Sequence, residues 1–175
     1  MTDAPAPASA PHAGYRPCVG VMMFNKDGLV FLGQRKPKKG RDPQPSGLDW
    51  QMPQGGIDPG EAPKKAVLRE LQEETNVTRA AILAESPFWY AYDLPMDVVR
   101  QSWRGRFRGQ TQKWFALRFE GDEAEIDIAA PAGGHKPEFI AWRWERLEAV
   151  PGLIIGFKRA VYERVVQDFR HLAAP

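Results

Sequence analysis

The sequence predicts an α/β sandwich built around a mixed β-sheet. Two observations indicate this architecture: strand-like segments lie on both sides of one internal helix, and an amphipathic helix closes the chain. With 175 residues, of which 43% are hydrophobic and 26% charged, the chain has the size and composition of one globular domain with a hydrophobic core.

The first half of the chain predicts a β-hairpin followed by a helix. Residues 17–24 and 29–35 are apolar, strand-like runs, and Asn-Lys-Asp-Gly over residues 25–28 is a typical hairpin turn. Residues 49–54 predict a short extended piece. A helix is expected over residues 62–75, where proline is tolerated in the first turn.

The second half of the chain predicts four strands and a closing helix. We expect strands over residues 80–92, 110–120, 125–128 and 138–144. Residues 157–172 place apolar side chains every four positions, which is the pattern of a helix with one face in the core. That helix would complete the sandwich.

Basic residues are concentrated in two short segments, although the net charge is only +2. Residues 35–41 hold five basic residues and no acid. The second segment mixes arginines with aromatic residues and contains Arg100, Trp103, Arg104, Arg106, Phe107 and Arg108. Such patches on a nearly neutral chain indicate a local anionic partner rather than attraction of the whole molecule to polyanions.

Residues 1–14 are rich in alanine and proline and predict a disordered tail before a single domain over residues 15–175. The tail lacks the basic start and apolar centre of a signal peptide, and no apolar run is long enough to span a membrane. Cys18 is the only cysteine, so no internal disulfide is expected. Together these features favour a cytoplasmic protein that does not enter a membrane.

The predicted helix over residues 62–75 carries an unusual concentration of acid. Glu73 and Glu74 follow Glu70 at the three- and four-residue spacings that share a helix face, so like charges repel and also oppose the helix dipole. A solvated face is the simple alternative. Because Arg69 is expected to point to another side of the helix, a bound divalent cation is the favoured explanation. Ligands that are all oxygen suit Mg²⁺ or Mn²⁺.

The segment from Gly55 to Val77 contains a longer pattern around this acidic face. Gly55 is followed by Glu61 and then by the run Arg-Glu-Leu-Gln-Glu-Glu-Thr-Asn-Val over residues 69–77. This arrangement resembles the signature of the Nudix hydrolase family. Asn76 stands where the family usually has glycine, and asparagine tolerates the same left-handed backbone conformation.

The resemblance implies a Nudix α/β/α sandwich whose loop–helix–loop motif binds Mg²⁺. It implies metal ligation by the carbonyl of Gly55 and by the carboxylates of Glu70, Glu73 and Glu74, with the same glutamates as catalytic candidates. Glu61 and Arg69 would pair and hold the motif in shape. The implied reaction is attack of water on a phosphorus of a diphosphate linkage, with a glutamate as the base. The spacing leaves open which glutamate serves.

The resemblance extends over residues 15–170. The pieces YRPCVG, WQMPQGGIDPGE, WYAYDLP, GQTQKWF, PEFIAWRW and FKRAVY are similar to bacterial RNA 5′-pyrophosphohydrolases, which convert 5′-triphosphate RNA ends to monophosphate and so initiate mRNA decay. These enzymes are in turn similar to dinucleoside polyphosphate hydrolases of the diadenosine tetraphosphate type. The alternatives are therefore that second activity or a non-catalytic protein that binds nucleotide or RNA.

The resemblance also implies roles for residues outside the signature. It implies that Arg16 and Arg35 contact phosphates and that Glu138 is an additional catalytic and metal-binding carboxylate. Gln110 would make a polar contact with the substrate, and Phe157 and Lys158 would line a nucleotide pocket. Phe157 also continues the core stripe of the closing helix, so its role stays open.

Residues 36–49 form a longer link than the resemblance leads us to expect. The segment contains the basic residues Lys36, Lys38, Lys39 and Arg41. It is either a basic lip that follows an RNA backbone or a solvated insertion. If it is a lip, neutralising these four residues should flatten the salt dependence of RNA binding.

Overall fold

The computed structural model describes residues 5–37 and 47–173. The strands and α-helices found there are β1 (Arg16–Phe24), β2 (Val30–Arg35), β3 (Trp50–Gln51), β4 (Gln54–Gly56), α1 (Pro63–Thr75), β5 (Ala80–Glu85), β6 (Tyr90–Asp93), α2 (Met96–Gln101), β7 (Gly109–Phe119), β8 (Phe139–Glu145) and α3 (Gly156–Phe169). Short 3-10 segments occupy the connections, at Trp103–Gly105, Glu123–Glu125, Ala132–Gly134, Leu147–Leu153 and Arg170–Leu172.

The strands form one mixed sheet. Its main path runs β3-β2-β1-β7-β5, while β4 pairs with β1, β6 with β7 and β8 with β2. Strands β1 and β7 run parallel, from Arg16 opposite Gln110 to Phe24 opposite Arg118, and the other pairings are antiparallel. The prediction of a mixed sheet is therefore confirmed.

The two faces of the sheet are covered by different helices. Alternate side chains of a strand point to opposite faces, so Val21 joins the core cluster of Val67 in α1, whereas Met22 joins that of Val165 in α3. The sheet thus lies between α1 and α3, and the predicted α/β/α sandwich is confirmed. Across the described residues, no helix is both long and apolar enough to cross a membrane.

The segment predicted as one strand over residues 80–92 is in fact two strands. Pro87 has no N–H to contribute to a ladder, and β5 and β6 pair with different parts of β7. Ser86 bridges the interruption, because its N–H donates to the carbonyl of Trp114 at 2.8 Å. Its hydroxyl accepts the N–H of the same tryptophan at 3.1 Å.

The prediction of a strand over residues 125–128 is wrong. Glu123–Glu125 form a 3-10 turn that begins at Asp122, whose carboxylate accepts a backbone N–H two residues later at 2.8 Å. The Asp127 carboxylate accepts the N–H groups two and three residues later, at 2.9 Å and 3.1 Å. These local hydrogen bonds compete with sheet pairing, which explains the error.

Residues 5–14 lie against the sheet, whereas the sequence predicts a disordered tail over residues 1–14. Ala8 and Trp89 exchange backbone hydrogen bonds of 3.2 Å and 2.8 Å. Composition hides such pairing, because an extended segment meets a sheet edge through backbone groups and not through its side chains. The first four residues lie outside the described part of the chain.

The basic link predicted over residues 36–49 is described only at its two ends. Lys36 is exposed and donates its backbone N–H to the carbonyl of Glu138 at 2.9 Å. Lys38, Lys39 and Arg41 lie outside the described residues. The hypothesis of a basic lip therefore stays a prediction.

Candidate active site

Helix α1 is held against the sheet by one face and presents carboxylates with another. Val67 and Leu71 are buried in the core. The helix ends at Asn76, which adopts the expected left-handed conformation with φ of 63°. Because residues three and four apart share a helix face, the same anchoring fixes the direction of Glu70 and Glu74. The site is thus carried by a rigid element.

Strand β4 meets these carboxylates at close range. The N–H of Gln54 donates to a carboxylate oxygen of Glu74 at 3.2 Å. A Cβ atom added to Gly55 would collide with the carboxylate of Glu70, so a side chain here would displace that group. Glycine thus lets the Glu70 carboxylate lie directly against the backbone of β4.

Arg69 contacts more of the acidic cluster than the sequence predicts. Its guanidinium donates to Glu61 at 2.8 Å and 2.9 Å, to Glu70 at 2.9 Å and to Glu73 at 3.2 Å. The expectation that Arg69 points to another side of the helix is wrong, because the long side chain reaches back across its own turn. The predicted pair of Arg69 with Glu61 is present, and its hydrogen bonds lower the pKa of Glu61 from 4.5 to about 2.

Glu74 is in a different electrostatic environment. It is partly exposed to a cavity, but protein atoms surround its carboxyl group, and this desolvation raises its pKa well above the ordinary value. The negative charges of Glu138 and Glu70 raise the pKa further, whereas the N–H of Gln54 lowers it. Burial also raises the pKa of Glu70, and Arg69 opposes that shift. A cation would relieve this concentration of negative charge.

The residues present fit a divalent cation. Their donors are oxygen atoms, which suits a hard ion. Because Gly55 has no side chain, the Glu70 carboxylate can lie close to the backbone at residue 55. Among residues 5–37 and 47–173, no three His, Cys, Asp or Glu side chains stand as a ready-made metal-binding group. Arg69 accounts for part of this, because it holds Glu70 and Glu73 in hydrogen bonds.

A cavity of about 610 Å³ collects most of the predicted site residues. It is lined by Arg16, Arg35, Gln110, Phe157 and Lys158, together with Gly55, Glu74 and Glu138. The structure thus brings the predicted substrate contacts to three of the five predicted metal ligands. Glu70 and Glu73 are not among the described residues that line this cavity; they contact Arg69 on the same helix.

Two arginines that line the cavity are suited to phosphate. Arg35 lies 3.6 Å from Glu138, and its Nε is buried without a hydrogen-bond partner among the described residues. A buried donor left without a partner is costly, so an anionic oxygen would be stabilised there. The guanidinium of Arg16 lies 5.3 Å from the ring centroid of Trp103, which holds a second cation at the cavity.

The cavity lining also combines aromatic and polar groups. The ring of Phe157 lies 5.7 Å from that of Tyr92, and the buried Lys158 lies 5.6 Å from the same Tyr92 ring. The Lys158 ammonium is 3.4 Å from the amide oxygen of Gln51. Phe157 also packs partly against the core. Its position is therefore compatible with both a nucleotide contact and a core role.

Sequence reasoning missed a polar network at the centre of the cavity. Tyr92 donates its hydroxyl hydrogen to Gln110 at 2.6 Å, and Gln112 donates to Gln54 at 2.8 Å. These residues orient Gln110, which the sequence did predict. The alternation in Gly-Gln-Thr-Gln over residues 109–112 is a signal that could have placed both glutamines on one face of β7.

One wall of the cavity was also missed. It is formed by the segment between β6 and β7, through Leu94, Pro95, Asp97, Val98, Gln101, Ser102 and Trp103. Neither α2 nor the 3-10 turn Trp103–Gly105 contains a buried residue. Without a buried face, this segment offers no periodic pattern from which its place at the cavity could be inferred.

Comparison with known proteins gives one family. The model of the NUDIX domain matches residues 14–167. The RNA pyrophosphohydrolase of Azorhizobium caulinodans is 56% identical over 160 residues, which cover 91% of this chain and 94% of that protein. The RNA pyrophosphohydrolase of Rhodopseudomonas palustris (strain BisB18) is 54% identical over 159 residues, which cover 91% and 90%.

Solved structures support the fold. The C. elegans Ap4A hydrolase in a binary complex superposes with a TM-score of 0.59 at 17% identity, covering 89% of this chain and 98% of that one. The MutT protein from Methanosarcina mazei Go1 superposes with a TM-score of 0.57 at 19% identity, covering 87% and 94%. At these identities the likeness concerns architecture.

Proposed function

The chain belongs to the Nudix family, and we propose that it is a metal-dependent RNA 5′-pyrophosphohydrolase that converts 5′-triphosphate RNA ends to monophosphate. The resemblance found in the sequence is confirmed by the family match and by relatives of 54% and 56% identity that carry the name RNA pyrophosphohydrolase. One observation supports the proposal most directly: a single cavity joins arginines, carboxylates and an aromatic pocket. Because the substrate would be cellular RNA, the proposed place of action is the cytoplasm.

Arg16 and Arg35 are the proposed anchors of the triphosphate. Both line the cavity near Glu74 and Glu138, so phosphate oxygens bound to the arginines would lie beside the carboxylates. The unpartnered Nε of Arg35 gives a phosphate oxygen a hydrogen bond for which no other described acceptor competes. Charge-assisted contacts of this kind position the phosphorus for attack.

The proposed metal is Mg²⁺, with Mn²⁺ as a second suitable ion. Its proposed ligands are the carbonyl of Gly55 and the carboxylates of Glu70, Glu73, Glu74 and Glu138. When bound, the ion would neutralise phosphate oxygens and activate the attacking water. Arg69 would release Glu70 and Glu73 for this role while keeping its two bonds to Glu61, which hold the loop before α1 to the helix.

Proton transfer is assigned to a carboxylate at the cavity surface. Glu74 and Glu138 both line the cavity, whereas Glu70 and Glu73 are not among its lining residues. The environment of Glu74 raises its pKa, which brings it closer to that of a base working near neutral pH. The attacking water would pass its proton to one of these two glutamates.

The terminal nucleotides are assigned to the part of the cavity lined by Phe157 and Lys158. Phe157 offers a ring face for a base, and the Lys158 ammonium offers a donor beside the buried Tyr92. Gln110, oriented by Tyr92, would contact a polar edge of the substrate. Stacking with a few polar contacts is the usual way in which proteins hold unpaired RNA bases.

A diadenosine tetraphosphate hydrolase would use the same phosphate chemistry, so it is the alternative that the test must separate. The non-catalytic alternative is weaker, because every carboxylate of the signature is present. The decisive measurement is kcat/KM with Mg²⁺ for a short 5′-triphosphate RNA and for diadenosine tetraphosphate on one preparation. Preference for RNA supports the proposal, preference for the dinucleotide replaces the substrate, and turnover of neither restores the non-catalytic alternative.

A further inference from the structure

We propose that a second cavity, next to the first, binds an unpaired base of the RNA downstream of its 5′ end. This proposal rests on the proposed function, since it assigns a subsite to the same substrate. The second cavity has a volume of about 560 Å³. It is lined by Pro11, Arg16, Pro17, Ile57, Asp58, Pro59, Gly60, Glu61, Pro63, Trp89 and Phe107.

The two cavities are connected through Arg16 and a pair of aromatic rings. Arg16 lines both cavities, Trp103 lines the first, and Phe107 lines the second. The ring centroids of Trp103 and Phe107 are 6.0 Å apart, with the planes at 75°. An RNA whose triphosphate is held by Arg16 therefore lies beside an aromatic surface that continues into the second cavity.

The walls of the second cavity are suited to a flat, largely apolar group. Four prolines, Ile57 and the rings of Trp89 and Phe107 supply apolar contact area. Aromatic side chains bind bases of any sequence, because every base presents a π-face. The proposed ligand is accordingly one nucleobase without a strict sequence requirement.

The charge around the cavity is asymmetric and favours one orientation of a nucleotide. Arg104 and Arg106 are exposed, and no carboxylate of residues 5–37 or 47–173 forms a salt bridge with either. Arg108, in contrast, is paired with Asp93 at 2.8 Å. Phosphates would therefore follow these two arginines, of which Arg106 has its guanidinium 5.5 Å from the ring centroid of Phe107.

The two acidic residues that line the second cavity, Asp58 and Glu61, are both close to Arg69. Glu61 is neutralised by two hydrogen bonds from Arg69, and Asp58 lies 3.9 Å from the same guanidinium. An uncharged base tolerates these neighbours, since Arg69 offsets their charge. The lining of the cavity therefore suits the base, and the exposed Arg104 and Arg106 suit the phosphates of the RNA backbone.

The backbone supports a ligand role for the connecting segment. Trp103 and Arg104 both have positive φ, 50° and 53°, although neither is glycine. Such conformations cost free energy and are concentrated at functional sites. Here they turn the Trp103 ring onto Arg16, and that contact is what joins the two cavities.

The first experiment is a length series of 5′-triphosphate RNAs from two to eight nucleotides, with kcat/KM measured for each. The wild-type protein should prefer the eight-nucleotide RNA to the dinucleotide. Phe107→Ala should reduce this preference roughly tenfold, the effect of removing one base–aromatic stack. Phe88→Ala is the matched control, because Phe88 is an exposed phenylalanine that lines neither cavity, and it should leave the preference unchanged.

The outcomes separate the two proposals. Turnover of no RNA would refute the proposed function itself. Turnover of RNA without a length preference, or with a preference that Phe107→Ala leaves intact, would overturn only the second subsite. Sedimentation of the same variant tests whether a second copy of the chain occupies the second cavity instead of RNA. A change in oligomeric state without a change in length preference would also overturn the proposal.

A binding measurement tests the proposed phosphate contacts of Arg104 and Arg106 without any turnover. The probe is a fluorescent eight-nucleotide RNA with a 5′-monophosphate, which has the form of the product. The double variant Arg104→Gln/Arg106→Gln should reduce the slope of log Kd against log salt by about 0.7 for each phosphate that the protein no longer neutralises. Arg146→Gln, at an exposed arginine that lines neither cavity, should leave the slope unchanged, and an equal slope in both variants would contradict the assignment.

Discussion

The cavity has two walls of opposite construction. Helix α1 is anchored by Val67 and Leu71, and strand β4 lies against its carboxylates. The wall made by α2 and the 3-10 turn Trp103–Gly105 contains no buried residue and carries exposed arginines. In the proposed function, the groups that must be held accurately for chemistry therefore lie on the anchored wall, and the groups proposed to contact a variable RNA chain lie on the exposed one.

The largest effect expected from this comparison is on Glu74. Glu74→Gln should lower kcat about 1,000-fold, because the change removes a proposed metal ligand and candidate base from the anchored wall. The midpoint of thermal unfolding should not fall, since neutralising this crowded carboxylate removes repulsion from Glu138 and Glu70. Activity assays and calorimetry on the same sample check both parts. Glu163→Gln on the exposed side of α3 is the control, and an active Glu74→Gln would refute the site.

The next effect concerns the attachment of the anchored wall to the core. Leu71→Ala removes a side chain that is 1% exposed and should lower the free energy of unfolding by about 2–5 kcal/mol. Urea denaturation measures the change. At temperatures where the variant stays folded, its kcat should fall less than that of Glu74→Gln, because the carboxylates are retained. A change near zero would mean that the helix is not held by this face.

Trp103→Ala tests the exposed wall. Because Trp103 packs on Arg16 without being buried, we expect KM for triphosphate RNA to rise several-fold, the size of a partly desolvated cation–π contact. The free energy of unfolding should remain within about 0.5 kcal/mol of the wild type, as for other surface changes. If Trp103→Ala unfolded the protein as readily as Leu71→Ala, the distinction between the walls would not hold.

The ion pair of Glu61 with Arg69 joins α1 to the loop before it, and the stability that this pair contributes should depend on pH. Since Arg69 lowers the pKa of Glu61 from 4.5 to about 2, the pair stabilises the folded state fully above pH 4.5 and loses this contribution as the pH falls toward 2. Glu61→Gln should therefore unfold at a lower temperature than the wild type at pH 7, and the gap should narrow below pH 4.5. A gap that widens in acid would contradict the ion-pair assignment.

The smallest effect is expected at Asn76. Its side-chain amide donates to the carbonyls of Asp127 and Ala130, at 2.8 Å each. Asn76→Gly keeps the left-handed backbone but removes both hydrogen bonds, so the free energy of unfolding should fall by about 1 kcal/mol. Asn76→Asp, which keeps an acceptor in place of the donor, should not restore it. Stabilisation by the glycine would show that the backbone conformation dominates at this position.

Much of the fold was predictable because it depends on local patterns. The hairpin of β1 and β2, the helix α1 and the closing helix α3 follow from alternating or four-residue apolar spacing, and the observed bounds differ from the predicted ones by only a few residues. The errors came from competing local chemistry. Pro87 broke a predicted strand, and the carboxylate of Asp127 replaced sheet pairing with turn hydrogen bonds.

The sequence by itself determined the chemistry of this protein, since spacing along one helix puts Glu70, Glu73 and Glu74 together whatever surrounds them. Only the tertiary structure decided how those charges are balanced. The reach of Arg69 to three glutamates, the desolvation of Glu74 and the sharing of Arg16 between two cavities all depend on how the folded chain brings its segments together. Electrostatic energies depend on the distance between charges and on their burial, and neither can be derived from the order of the residues alone.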